Sequence, residues 1–452
     1  MKSFNLNKQT LKQFSFFFPF FALLIQACGG GSSGESEPSV LEPIEYELNL
    51  SSTIVNKCGV ESPYSDVELL IQDENWQITQ RYTPDENGQI KASLFRQIIN
   101  YTLVAKRQVG NEVEGLDIHS YIQVETSTPL VYKGIYESIT DQSSCECVTQ
   151  DVNISHRSYN TRSQVASSLN FTDWQAIDNG TTLLNGVEAC REINGDWPLH
   201  SFSIVGTDVN NNSIGNATFS DNFNATSNEV WELSAFDVAE QTSLPAEHQA
   251  FKTSQIIQTI SHFASSIDAN EEDVLLFNSH DYIGETLYHS VAQVVFEETS
   301  SIFGSSIIES YHQIQDANFN ESFSVQASTV KPEIDEVNFS EIQADGIYDY
   351  SVVQNYPMAL IQFNYELIDA QAQTLSVNWT TYGPIQGLLP VKIELTGYED
   401  IIGVDSDWNE IDVRLLQSAT STTYDDYISY FQNFSNDSLV SNLNTYHIEI
   451  TK

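Results

Sequence analysis

Residues 361–379 read IQFNYELIDAQAQTLSVNW, and their pattern decides the fold. Ile361, Phe363, Tyr365 and Leu367 alternate with Gln362, Asn364 and Glu366, and Leu375, Val377 and Trp379 alternate with Ser376 and Asn378. Successive side chains of an extended chain point to opposite faces, so this period of two describes strands with one apolar and one wet face. The pattern recurs at Val391, Ile393 and Leu395, and far upstream at Ile44, Tyr46, Leu48 and Leu50. Runs at Val67–Ile71 and Tyr101–Ala105 add strands; between them Asp85, Glu86, Asn87 and Gly88 include an Asn-Gly pair, the preferred two-residue hairpin turn. Asn210, Asn211 and Asn212 mark a turn between strands at Ser201–Val205 and Ser213–Phe219. Many short strands at this spacing predict a mainly β protein built of several antiparallel β-sandwich modules.

Composition agrees with a packed, multi-module chain. The 452 residues are 40% hydrophobic and 11% aromatic with 12 Pro, which excludes disordered and collagen-like classes. No period of about 20–50 residues repeats, which disfavours a solenoid or propeller. Two segments depart from the β pattern. Ile256, Ile257, Ile260, Phe263 and Ala264 follow helical spacing, as do Tyr424, Tyr427, Ile428 and Phe431 behind a cap-like Thr423 with Asp426 three residues on. One or two short helices against the sheets are therefore expected.

The N-terminal stretch has Lys2, Lys8 and Lys12, no acid, and an apolar run from Phe14 to Ile25, as a secretion signal does. The run is broken by Ser15 and Pro19 and falls short of the roughly 20 apolar residues a spanning helix needs. Leu24, Ile25, Gln26, Ala27 and Cys28 resemble the lipobox of bacterial lipoproteins. The resemblance implies a diacylglycerylated Cys28 as mature N-terminus and, with Gly29 rather than aspartate after it, an outer-membrane anchor. Gly29–Pro38 has no apolar residue and reads as a flexible tether; its Gly30, Ser32 and Gly34 match a nucleophile elbow only by chance, since neither strand nor helix flanks them.

The stretch Val67–Lys106, through VELLIQDENWQ, YTPDENGQIKASL and INYTLVAK, resembles carboxypeptidase-regulatory-like or CnaB-like modules, with Asn100 where a glycine often precedes the tyrosine. The resemblance implies a transthyretin-type sandwich, Ig-like in outline, serving as spacer, stalk or binding unit. The expected organisation is a leader over 1–27, a tether over 28–42, this sandwich over 43–140, a second β-rich region of one or two modules over 141–330 and a C-terminal sandwich over 331–452.

Charge and cysteines narrow the setting. The net charge is −44, with 62 Asp+Glu against 18 Lys+Arg, and removing the leader takes away three lysines and no acid. Such a chain does not offer a nucleic-acid or anionic-lipid surface, and its self-repulsion is relieved by salt or divalent cations. Export permits disulfides among Cys58, Cys145, Cys147 and Cys190. Cys145 and Cys147 are two apart on an extended segment, with Cα atoms about 6.5–7 Å apart, at the limit of bridge geometry. Cys58 is thus expected to pair with one of them and Cys190 with the other, a double staple between the first and second regions; free thiols or a metal site are the alternatives.

Candidates for chemistry are few. His280, Asp281, Glu285 and His289 cluster, but not with H-E-x-x-H spacing. Asp405, Asp407, Asn409 and Asp412 look like the opening of a calcium loop, yet Glu410 stands where its glycine belongs and Leu416 at its twelfth position, so the choice is an irregular Ca2+ site or a solvated acidic turn. Apart from that ion no cofactor is expected. Trp197 and Trp408 suit either a sugar-stacking platform or core closure. The reading that follows is a non-enzymatic, outer-membrane-anchored binding or structural protein with an envelope protein or polysaccharide as partner. The competing class is a hydrolase that uses a carboxylate pair on an envelope or environmental polymer.

Overall fold

The computed structural model describes residues 43–109, 112–135, 144–221, 223, 230–235, 237–238, 240–243, 250–257, 261–266, 273–276, 286–298, 305–316, 345–351, 353, 356–368, 374–390, 395–403, 406, 408–418, 423–432 and 443–451. The protein is mainly β, with several sheets and, among the described residues, one helix longer than a turn.

The alternating stretch that opens the analysis lies in the middle of a twelve-stranded sheet. Its strands run, edge to edge, Ser261–Ser266, Ala250–Ile257, Thr286–Glu298, Ser305–Asp316, Leu443–Thr451, Glu410–Ser418, Met358–Ile368, Thr374–Pro384, Glu112–Glu125, Ile98–Val109, Val67–Gln72 and Ile78–Tyr82. Neighbours are antiparallel except Thr374–Pro384 and Glu112–Glu125, which pair in parallel. Strands from the early and late parts of the chain therefore share one hydrogen-bonded ladder.

A smaller sheet packs on the early end of the large one. Tyr46–Val55 pairs antiparallel with Glu61–Pro63 and Gln89–Leu94 and parallel with Leu130–Ile135. Leu48, Leu50, Ile90, Leu94 and Leu130 from this layer meet Val67, Leu69, Ile71, Tyr101, Leu103 and Tyr121 of the large sheet. The opposite face of the large sheet holds a second core, in which Leu70, Val104 and Ile118 join Trp379, Phe363, Ile411, Trp408 and Trp76. Burial on both faces explains the consecutive apolar residues Leu69–Ile71, where a half-buried strand would alternate.

The turn at Asp85–Gly88 is not the expected hairpin. The Asp85 carboxylate accepts from the Asn87 and Gln89 amides, and Gly88 takes a φ of 71°. The chain enters from Ile78–Tyr82 in the large sheet and leaves along Gln89–Leu94 in the small one, so the turn is a crossing between layers. Gly88 is tied to the small sheet by the Ser52 amide, which donates to its carbonyl at 2.7 Å.

Residues 145–238 supply two further four-stranded sheets around one core. One runs Asp173–Asp178, Thr181–Glu192, Cys145–His156, Trp231–Ala235, and the other Thr161–Ser167, His200–Thr207, Ser213–Ser220, Asp237–Val238. Val152, Ile154, Leu184, Phe202, Ile204, Trp197 and Phe223 fill the space between them. The Asn-rich turn falls where expected, with Asp208 accepting from the Asn210 and Asn212 amides. Asp173–Asp178 is an edge strand whose every residue is exposed.

Tyr424–Gln432 is the expected helix, and Thr423 and Asp426 cap it reciprocally through side chain and backbone. Tyr427 and Ile428 bury against the first core. The other expected helix is corrected: Ala250–Ile257 and Ser261–Ser266 are antiparallel strands, Ile256 opposite His262. The apolar spacing there arises from two short strands joined in sequence, and β-branched isoleucine suits the ladder that the first strand forms with Thr286–Glu298.

Candidate functional site

The central strands of the large sheet bury one face and present polar groups on the other. Cross-strand register places Asp117, Asn378, Asn364 and Glu410 in one row and His119, Thr380, Gln362 and Asp412 in the next. Hydrophilic alternation in the sequence has thus become a polar surface with an imidazole and a carboxylate at each end.

At the early end, His119 Nε2 lies 3.1 Å from Asp117 Oδ2, and the Tyr132 hydroxyl approaches the same oxygen at 3.5 Å. Tyr132 belongs to the small sheet, so this contact joins the two layers of the first sandwich. Burial works against the Asp117 charge, but the His119 hydrogen bond and charge, Arg107 and Tyr132 together hold its carboxyl below the ordinary aspartate range. Burial and then the Asp117 charge push the Tyr132 phenol up, so it stays a neutral donor. Behind the pair, Tyr101, Tyr121 and Tyr382 occupy facing register positions and stack with centroids 4.6 Å apart at each step.

At the late end, Arg414 Nη2 donates to Asp412 Oδ2 at 2.6 Å, and His447 Nε2 lies 2.8 Å from Asp412 Oδ1. Asp412 is 6% exposed; burial opposes its charge, and His447 with Arg414 outweighs that opposition and holds its carboxyl low. Each carboxylate therefore has its own imidazole partner, and Asp412 has Arg414 besides. Three strand spacings separate the two ends, roughly 14 Å, beyond the about 5–9.5 Å over which paired carboxylates cleave glycosides. The arrangement can exchange protons and hydrogen-bond hydroxyls or amides.

The sequence-derived candidates fall as follows. Of the calcium set, Asp412 is the carboxylate just described, Asn409 precedes its strand with its amide bonded to Asn364 O, and Asp405 and Asp407 lie outside the described residues. Cys28, the leader, the tether, the nucleophile-elbow match and His280, Asp281 and Glu285 also lie outside them, as does the His289 side chain. Trp197 and Trp408 are each 8% exposed within cores, so neither offers a stacking face. The arginine Arg191 covers the Trp197 ring at 4.5 Å.

The cysteines form Cys58–Cys145 and Cys147–Cys190. The expected double staple is half right. Cys58–Cys145 crosses from the small sheet to the second sandwich, beside an Asn56–Ser144 hydrogen bond and a Lys57–Glu188 ion pair. Cys147 and Cys190 instead face each other within one sheet, because the register of Cys145–His156 with Thr181–Glu192 sets them opposite. Glu188 is close to that pair, but oxidised sulfurs supply no thiolate for a metal.

Two structural residues left no legible signal. Asn100 holds the large sheet by donating to Asp73 O and accepting from the Gln123 amide, and Trp76 adopts a left-handed φ of 63° while its indole donates to Leu388 O. Both depend on partners distant in the sequence. A comparison with protein-family models, curated proteins and solved structures finds no match.

Proposed function

We propose that the protein is an exported, lipid-anchored binding protein of the cell envelope, held at the outer membrane through Cys28 and engaging an envelope partner through its β-sheet surfaces. The observation that carries this reading is the pairing of all four cysteines other than Cys28 in two disulfides. Structural disulfides persist in oxidising compartments and are rare in reducing cytosol. The leader ending in Leu24–Cys28 supplies the route to such a compartment. Binding is favoured over polymer hydrolysis because Asp117 and Asp412 are each hydrogen-bonded to their own partner side chains and stand too far apart to share a substrate bond.

The test is metabolic labelling with an alkyne fatty acid in a bacterial host, followed by mass spectrometry of the N-terminus and membrane fractionation. The native chain is expected to begin at an acylated Cys28 and to sediment with outer membranes, and Cys28→Ala is expected to abolish labelling. Recovery of an unmodified Cys28 or an uncleaved leader would overturn the reading.

A further inference from the structure

We propose that the edge strand Asp173–Asp178 is a docking site for an extended, basic segment of another protein, which adds to the sheet as a further strand. This rests on the reading of the chain as a binding protein and names the class of partner.

Among the described residues the strand pairs with Thr181–Glu192 and with no other strand. The Thr172 amide donates to Asn185 O, toward that partner. Leu183 and Asn185 turn their backbone groups toward this strand, so their register partners Gln175 and Asp173 are bonded inward, and Trp174 and Ala176 direct their N–H groups to the open side. Only another extended chain satisfies a row of such groups in register. The side chains are also unprotected: Trp174 is 36% exposed and Ile177 54%, on opposite faces of the strand. Neither lysine nor proline, the usual blunting residues, occurs in the segment DWQAID. Two other edges differ. Ile78–Tyr82 is capped by Arg81, which reaches Glu68 and the Thr396 carbonyl. Thr161–Ser167 is interrupted by a register shift between Arg162 and Gln164. The irregularity in Asp173–Asp178 falls at its end, between Ala176 and Asp178.

Charge selects the occupant. Aspartates close both ends of the strand, in a chain of net charge −44. A second copy pairing antiparallel about the strand centre would set Asp173 against Asp178 twice, and like charges directly opposite destabilise a sheet. A strand with lysine or arginine near its ends meets those carboxylates with opposite charge, and its alternate apolar residues, which share one face, cover Trp174. Arg162, bonded to the Asp178 and Thr181 carbonyls, is the one cation placed at the turn among the described contacts, which leaves the Asp173 end the more electronegative.

The experiment uses the purified full-length protein and two synthetic peptides, one alternating Lys and Val and one alternating Glu and Val, with affinity read by fluorescence anisotropy. The Lys-Val peptide is expected to bind and to weaken at about 0.5 M NaCl, and the Glu-Val peptide is expected not to bind. Ala176→Pro removes one outward N–H and is expected to weaken binding by at least about tenfold, whereas Ala176→Ser keeps the N–H and the affinity. Asp173→Lys is expected to weaken the Lys-Val peptide without a change in circular dichroism. Equal binding by native protein and Ala176→Pro, or equal binding of both peptides, would overturn the site while leaving acylation and envelope location untouched. Concentration-dependent dimerisation that Ala176→Pro abolishes would also overturn it, by assigning the edge to a second copy.

Discussion

His200 is 7% exposed, has Ser168 Oγ 3.2 Å from its Nδ1, and among the described residues its Nε2 has no hydrogen-bond partner. Burial holds its pKa down at about 4, against about 6.5 for an unperturbed histidine. The unfolded chain therefore takes up a proton at pH values where the folded chain resists it, and stability falls as pH drops from about 6.5 toward 4. The loss at the bottom of that window is on the order of 3 kcal/mol, since each unit is worth about 1.4 kcal/mol. Urea unfolding at pH 7, 5.5 and 4 is expected to show this slope in the native protein and a flatter one in His200→Gln; matching slopes would refute the assignment. Asp117 and Asp412 act in a different window, because their lowered values make them lose stability only as pH falls below the ordinary aspartate range.

At the scale of elements, the turn Asp85–Gly88 joins two layers through one glycine. A Cβ on Gly88 would stand 2.1 Å from Ser52 O, on a backbone whose φ is 71°. Gly88→Ala is therefore expected to lower stability by about 1–3 kcal/mol, read as a shift of the urea midpoint with unchanged slope. An unshifted midpoint would mean that the crossing is not locked there. The turn itself was legible, because Asp-x-Asn-Gly chemistry is local. Which sheets it connects was not, because that depends on cores more distant in the sequence. The same division holds elsewhere: alternation revealed the strands at 361–379 and the Thr423 cap revealed the helix, whereas 256–264 was misread because spacing alone cannot separate one helix from two abutting strands. The polar rows of the candidate site were visible only as the hydrophilic half of the alternation; their assembly required cross-strand register.

For the whole molecule, charge and connectivity set the behaviour. With a net charge of −44 the folded chain repels itself, and ions screen that repulsion over about 30 Å at 0.01 M but about 10 Å at 0.1 M. The melting temperature is expected to rise by several degrees between these concentrations of NaCl, measured by differential scanning fluorimetry; a flat response would show that the acids are already neutralised locally. Connectivity acts on a different process. Glu112–Glu125 finds its parallel neighbour only in Thr374–Pro384, more than half the chain later. A polypeptide that folds as it emerges N-terminus first leaves that seam open until residues 374–384 follow, so the early layers wait half-zipped. Folding of this protein is then paced by the arrival of its tail, and a chaperone able to shield one waiting strand would shorten the interval in which aggregation competes.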